Sequence, residues 1–242
     1  VSSLFYNLGR KLRPHVRKAR WVWRSLTGDE ADVIRAEQQV GHDLAVEIRR
    51  QLKPDQDERA GRLLEEVGSR LAGCVANKLR SFSFEAVQGG EPNAFALPGG
   101  FVFVTRSLVE LCEWNADEIA FILGHEMGHV IRGHAMDRII SNSAIALGAK
   151  AAPVRGAVSA WLGKVGVRFL ESAYSQDTEL EADRLGARLV AAAGYDEQAP
   201  AAFLARLAKL KRGEGEFDLG QYFQSHPSFK VRIQAVRNMS RR

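Results

Sequence analysis

"FILGHEMGHVIRGHAMDRI" (residues 121–139) sets three histidines and a glutamate into a stretch that otherwise reads as apolar helix. His125 and His129 are four residues apart, which on a helix leaves them about 40° apart, so both imidazoles project from one face. That spacing suits two neutral ring nitrogens binding one Zn²⁺. Glu126 follows directly and lies to the side of the pair. There it can hold a water at the metal and take its proton during attack on a carbonyl. His134 does not fit this geometry. Five residues beyond His129 is about 140° around the helix axis, so His134 is read as a supporting or structural residue, away from the metal.

The centre needs a third protein ligand, with a fourth position left for water. The acids after His129 are Asp137, Glu171, Asp177, Glu179, Glu181 and Asp183. In "YSQDTELEADRLGARLV" (174–190), Glu179 and Asp183 are spaced i, i+4 on one face of a second helix. Glu179 can then bind metal while Asp183 accepts the free ring N–H of a ligand histidine and fixes its tautomer. Glu181 projects elsewhere, and T-E-L-E (178–181) accounts for it as a capping box.

Around this motif the chain reads as mostly helical. Apolar periodicity predicts helices at about 30–52 and 56–79, then a switch to period two. "SFSFEAVQ" (81–88) and "NAFALPGGFVFVT" (93–105) read as short strands around a Pro-Gly-Gly turn. Asn115 opens the helix carrying the histidines, with Glu118 three residues on in capping-box spacing. Ala-rich helices follow at about 141–151 and 157–170, then helices near 174–193, 197–212 and 228–239. The expected fold is α+β and mainly α, with a small sheet.

Residues 1–28 stand apart. They hold Arg10, Lys11, Arg13, Arg17, Lys18, Arg20 and Arg24 and no acid, so the other basic residues of the chain's 34 fall just short of its 29 acids. With Trp21 and Trp23 among the cations, this amphipathic arm fits an anionic membrane surface, or docks on its own domain or a partner subunit. The organisation read here is an arm, 1–28, and a domain, 29–242. The arm points to the membrane periphery or cell envelope, and to the cytoplasm if the chain is unprocessed. The near-neutral remainder argues against nucleic acid as the main partner. No apolar run is long enough to span a bilayer: 139–163 is broken by Lys150, Pro153 and Arg155. Cys74 and Cys112 read as buried thiols, with one bridge the alternative.

Four stretches in order, "NAFALPGGFVFV", "GHEMGH", "ELEAD" and "SHPSFKVR", make the chain resemble a family of zinc metallopeptidases from about residue 31 to 239. That family includes the CAAX prenyl endopeptidase, HtpX and the OMA-type mitochondrial protease. The resemblance implies a compact gluzincin domain whose small sheet edges the active-site cleft, holding one Zn²⁺ per chain. It implies His125, His129 and Glu179 as ligands, Glu126 as general base and Asp183 behind the ligands. It places substrate as an added strand along Asn93, Ala94 and Phe95. It also puts His226 and Arg232 at the active site, as donors to the oxyanion, or, for His226, as a fourth zinc ligand that keeps the enzyme latent. Membrane-embedded relatives carry transmembrane helices between the two motifs, whereas 139–170 here is short and charged, as in the soluble bacterial branch. The function expected is endopeptidase action on extended or misfolded polypeptides, with membrane-protein quality control as its setting. A metal-folded, chaperone-like module that binds extended chains with little turnover is the alternative, and it would not need Glu126.

Overall fold

The computed structural model describes residues 29–142, 173–210, 226 and 229–239. The basic arm 1–28, most of the expected helix 141–151 and all of 157–170 lie outside the described residues.

Helix α1 (Glu30–Gln51) starts on Asp29, whose side chain accepts from the Ala31 N–H. Helix α2 (Glu58–Gly73) starts the same way on Asp57. It ends six residues before the predicted limit. Cys74 N–H turns back to Leu71 O, and the Lys78 amine closes on Gly73 O at 2.9 Å, which satisfies carbonyls at the helix end. Strands β1 (Ser83–Val87), β2 (Ala94–Leu97) and β3 (Phe101–Thr105) follow. β3 is central, parallel to β1 and antiparallel to β2, so β2 is an edge. The β2–β3 turn runs through Gly99 and Gly100 at φ 76° and 95°, where a side chain would be strained.

Both sheet faces are buried. Phe84, Ala86, Ala94, Ala96, Val102 and Val104 join the main core with α2. Val87, Phe95, Leu97 and Phe103 pack in a second cluster with Val40, Leu44, Ala45 and Ile48 of α1.

A short helix absent from the sequence reading, α3 (Arg106–Leu111), leads through Glu113 and Trp114 (φ 51° and 62°) to Asn115. Asn115 caps α4 (Ala116–Ile131), its Oδ1 accepting from the N–H groups of Asp117 and Glu118. The Glu118 carboxylate turns to Arg206 rather than back to the cap, so the capping box is half-formed. Every residue from Ile119 to Val130 is buried, as expected for a helix apolar on all sides. At Gly133 (φ 77°) the chain breaks, and α5 (His134–Asn142) begins.

Helix α6 (Gln176–Ala192) is capped by Ser175 and not by Thr178. This corrects the T-E-L-E reading: Thr178 lies inside the first turn, and Glu181 is free for another contact. Helices α7 (Ala199–Leu210) and α8 (Phe229–Met239) complete the described fold. The approach of α4 to α6 positions the site. A Cβ on Gly186 would stand 2.8 Å from His125 N, and one on Gly128 would stand 2.9 Å from Ala182 O. Glycine at these points lets the backbones meet, so short carboxylate side chains on α6 reach the imidazoles on α4. Cys74 and Cys112 are both free thiols, Cys112 buried and Cys74 only half-buried.

Candidate metal centre

Helix α4 supplies His125 and His129; α6 supplies Glu179 and Asp183; His226 arrives from just before α8. The Nε2 atoms of His125 and His129 are 3.1 Å apart. Glu179 Oε1 lies 3.3 Å from His129 Nε2, and Oε2 lies 3.7 Å from His125 Nε2. His226 Nδ1 is 3.1 Å from Glu179 Oε1 and 3.3 Å from His125 Nε2. One donor atom from each of these four residues falls within 4.8 Å of all the others. All four side chains are at most 1% exposed.

The donor set fits a zinc ion. Asp183 Oδ1 stands 2.9 Å from His125 Nδ1, which holds that ring's proton on Nδ1 and turns the Nε2 lone pair inward. Inward-facing lone pairs and a carboxylate at 3.1 to 3.7 Å repel one another unless a cation balances them. Two imidazoles with a carboxylate, and a third imidazole beside them, is nitrogen-and-oxygen chemistry that Zn²⁺ accepts. Burial holds the His129 pKa well below the usual imidazole range, leaving a neutral ring at neutral pH. Burial pushes Glu179 up, but the Arg232 guanidinium and His226 overcome it and keep the carboxyl well below its ordinary range.

Glu126 stands beside this set and outside it. Its Oε1 is buried, accepts no hydrogen bond among the described residues, and lies 3.5 Å from His226 Nε2. A carboxylate held next to the donors with an oxygen uncommitted is what a general base requires.

Arg232 reaches the site from α8. It is fully buried behind the ligands, and its nitrogens point at carboxylates. Nε and Nη2 each donate to Asp183 at 2.8 Å, and Nη1 lies 2.7 Å from Glu179 Oε2. The last contact is poorly aligned for a hydrogen bond, so it is charge pairing. These contacts pair the Arg232 guanidinium with the Glu179 and Asp183 carboxylates.

His134 is placed differently from the sequence expectation. The break at Gly133 invalidates the continuous-helix argument, and His134 Nδ1 comes back to 3.1 Å from His129 Nδ1. It remains outside the four-residue donor set.

Along the edge strand, Asn93 O accepts from Thr105 N and Asn93 N donates to Thr105 Oγ1, at 2.9 and 2.8 Å. Asn93 is therefore committed to β3, and by antiparallel alternation so is Phe95, opposite Phe103. Of the expected trio, only Ala94 turns its main chain outward; the next outward residue is Ala96. Its carbonyl accepts from Arg138 Nη2 at 3.4 Å. Sequence reading also missed Tyr174, whose ring stacks on His129 with centroids 3.9 Å apart. An aromatic immediately before the Ser175 cap was the available signal.

The sequence model of Peptidase family M48 matches residues 58–240. The chain belongs to this family. Its relatives include the mitochondrial metalloendopeptidase OMA1 of Arabidopsis thaliana, 32% identical over 163 residues, 66% of this chain and 32% of that one. Metalloprotease LoiP of Escherichia coli is 28% identical over 194 residues, 77% of this chain and 73% of that one. The beta-barrel assembly-enhancing protease of E. coli O157:H7 is 28% identical over 186 residues, 72% of this chain and 38% of that one. The chain thus spans about a third of OMA1 and of the assembly-enhancing protease. It spans about three quarters of LoiP. The four-donor cluster and Glu126 both fall inside the segment matched to M48.

Proposed function

We propose that this chain is a zinc-dependent endopeptidase that hydrolyses peptide bonds in extended or misfolded polypeptides. The observation that carries the reading is one buried centre combining a zinc-type donor set with an adjacent Glu126 carboxylate whose Oε1 accepts no hydrogen bond among the described residues. When bound, zinc supplies Lewis acidity toward water and the scissile carbonyl. Glu126 takes the proton of the attacking water and returns it to the leaving nitrogen. Asp183 keeps His125 in the ligating tautomer, and Arg232 balances the two carboxylates behind the site. Addition of a substrate strand along the outward main chain of Ala94 and Ala96 would read backbone without demanding a sequence, and it requires Arg138 of α5, which holds the Ala96 carbonyl over these buried residues, to move aside. Among the described residues no helix is long and apolar enough to cross a membrane. One relative is named for enhancing beta-barrel assembly; by analogy the proposal extends to quality control of membrane or envelope proteins, with residues 1–28 as a reversible contact to anionic lipid.

The test is digestion of unfolded casein. Cleavage at many sites, abolished by a chelator and restored by zinc, is expected from mass mapping of the products. Capture of casein without chelator-sensitive cleavage would favour the binding-module alternative.

His226 is proposed as a latency ligand, because its Nδ1 already lies among the metal donors. His226→Ala is expected to keep its zinc and to raise basal casein turnover. A fall in kcat of about 10²–10³ with zinc retained would assign it to the oxyanion instead.

A further inference from the structure

We propose that His134 is a positioning residue that fixes the tautomer of His129, with Glu181 fixing His134 in turn; this rests on the zinc reading of the centre. The two ligand histidines present the same problem. Each must expose an Nε2 lone pair, so each must carry its proton on Nδ1 and have an acceptor there. For His125 that acceptor is Asp183. For His129 the group at Nδ1 is His134 Nδ1, at 3.1 Å, and both rings are buried.

Two facing imidazole nitrogens make a hydrogen bond only if one is protonated and the other is not. The far side of His134 decides which. Its Nε2 lies 3.6 Å from Glu181 Oε2, longer than a hydrogen bond, and the negative charge there favours the proton on Nε2. A neutral His134 protonated at Nε2 offers Nδ1 as an acceptor, so His129 donates through Nδ1 and its Nε2 is left bare toward Glu179. Tyr174, stacked at 15° to the His129 plane, prevents the ring from turning out of this alignment.

The relay gives separate purposes to features the local sequence did not explain. The Gly133 turn restarts the chain so that the first residue of α5 swings its ring back under α4. Glu181, on the same helix as Glu179 and Asp183 but on another face, is half-exposed and supports the site from its rim.

The experiment compares zinc affinity, by competition with a chromophoric chelator, in the full chain and three variants. Asn places Oδ1 near where His carries Nδ1, whereas Gln places its amide near Nε2; Leu offers neither. His134→Asn is expected to bind zinc as wild type does. His134→Gln and His134→Leu should bind about 10–100-fold more weakly. Long-range ¹H–¹⁵N spectra of the imidazoles should show His129 protonated at Nδ1 in wild type and in His134→Asn, a signature that a purely structural role would not move. If wild-type protein binds no zinc, the metal reading itself fails. If wild type binds and all three variants match it, or Gln rescues and Asn does not, the His134 proposal is overturned. Should His134→Leu fail to fold, the Asn and Gln pair decides alone.

Discussion

Glu126→Gln protein is expected to load zinc like the wild type and to cleave casein about 10²–10⁴-fold more slowly, the range lost with a positioned general base. The substitution keeps the shape of the side chain and removes only its ability to take a proton. Glu126 is not among the four clustered donors, so metal content has no reason to fall. Stability has no reason to fall either. The carboxylate is 1% exposed, and its Oε1 receives no hydrogen bond among the described residues, so the isosteric amide breaks no hydrogen bond at that oxygen. Zinc content, thermal unfolding and turnover measured on one preparation separate these effects. Full turnover in Glu126→Gln would remove the enzyme mechanism proposed here, and loss of zinc would mean that Glu126 is a ligand.

Much of this centre was legible because its information is local. The i, i+4 spacing of His125 with His129, and of Glu179 with Asp183, fixes which side chains share a face, whatever the rest of the chain does. The strands were legible for the same reason, their period-two pattern flanking Pro98-Gly99-Gly100. Local pattern fails where one residue changes the chain's direction. Gly133 ends α4 in a sequence whose periodicity runs on into His134, so a residue calculated to face away instead touches a ligand. Ser175 and Thr178 are both competent caps, and only the path of the chain entering α6 selects the first. Partners distant in sequence are the third kind of failure. His226 lies 101 residues from His125, and no spacing rule says that its ring enters the donor set. Arg232 was placed near the site by resemblance, but the direction of its guanidinium depends on how α8 packs on α6.

That direction makes Arg232 a residue whose loss should strongly damage the zinc-free fold. On α8, Phe229, Arg232 and Val236 form one buried stripe, so a full positive charge sits in an otherwise apolar face. The arrangement persists because Asp183 and Glu179 bring two negative charges to it within 2.8 Å. Burial raises the Asp183 pKa, but the Arg232 charge and the His125 hydrogen bond outweigh it and hold the carboxyl below its ordinary range. Removing one partner of such a buried pair costs about 3–5 kcal/mol, because the remaining charges stay desolvated. Arg232→Met is therefore expected to lower the unfolding free energy of zinc-free protein by that amount in urea titrations. The deficit should narrow when zinc is added, since the ion then balances Glu179. Arg232→Lys should recover little, because a single ammonium cannot bridge both Asp183 oxygens and also reach Glu179. Combining Arg232→Met with Asp183→Asn should cost less than the two single losses added together, the mark of a direct pair. The contrary result is equally specific. If Arg232→Met is as stable as wild type without zinc, yet loses kcat by about 10²–10³ with zinc in place, Arg232 serves the oxyanion and the stabilising role is wrong.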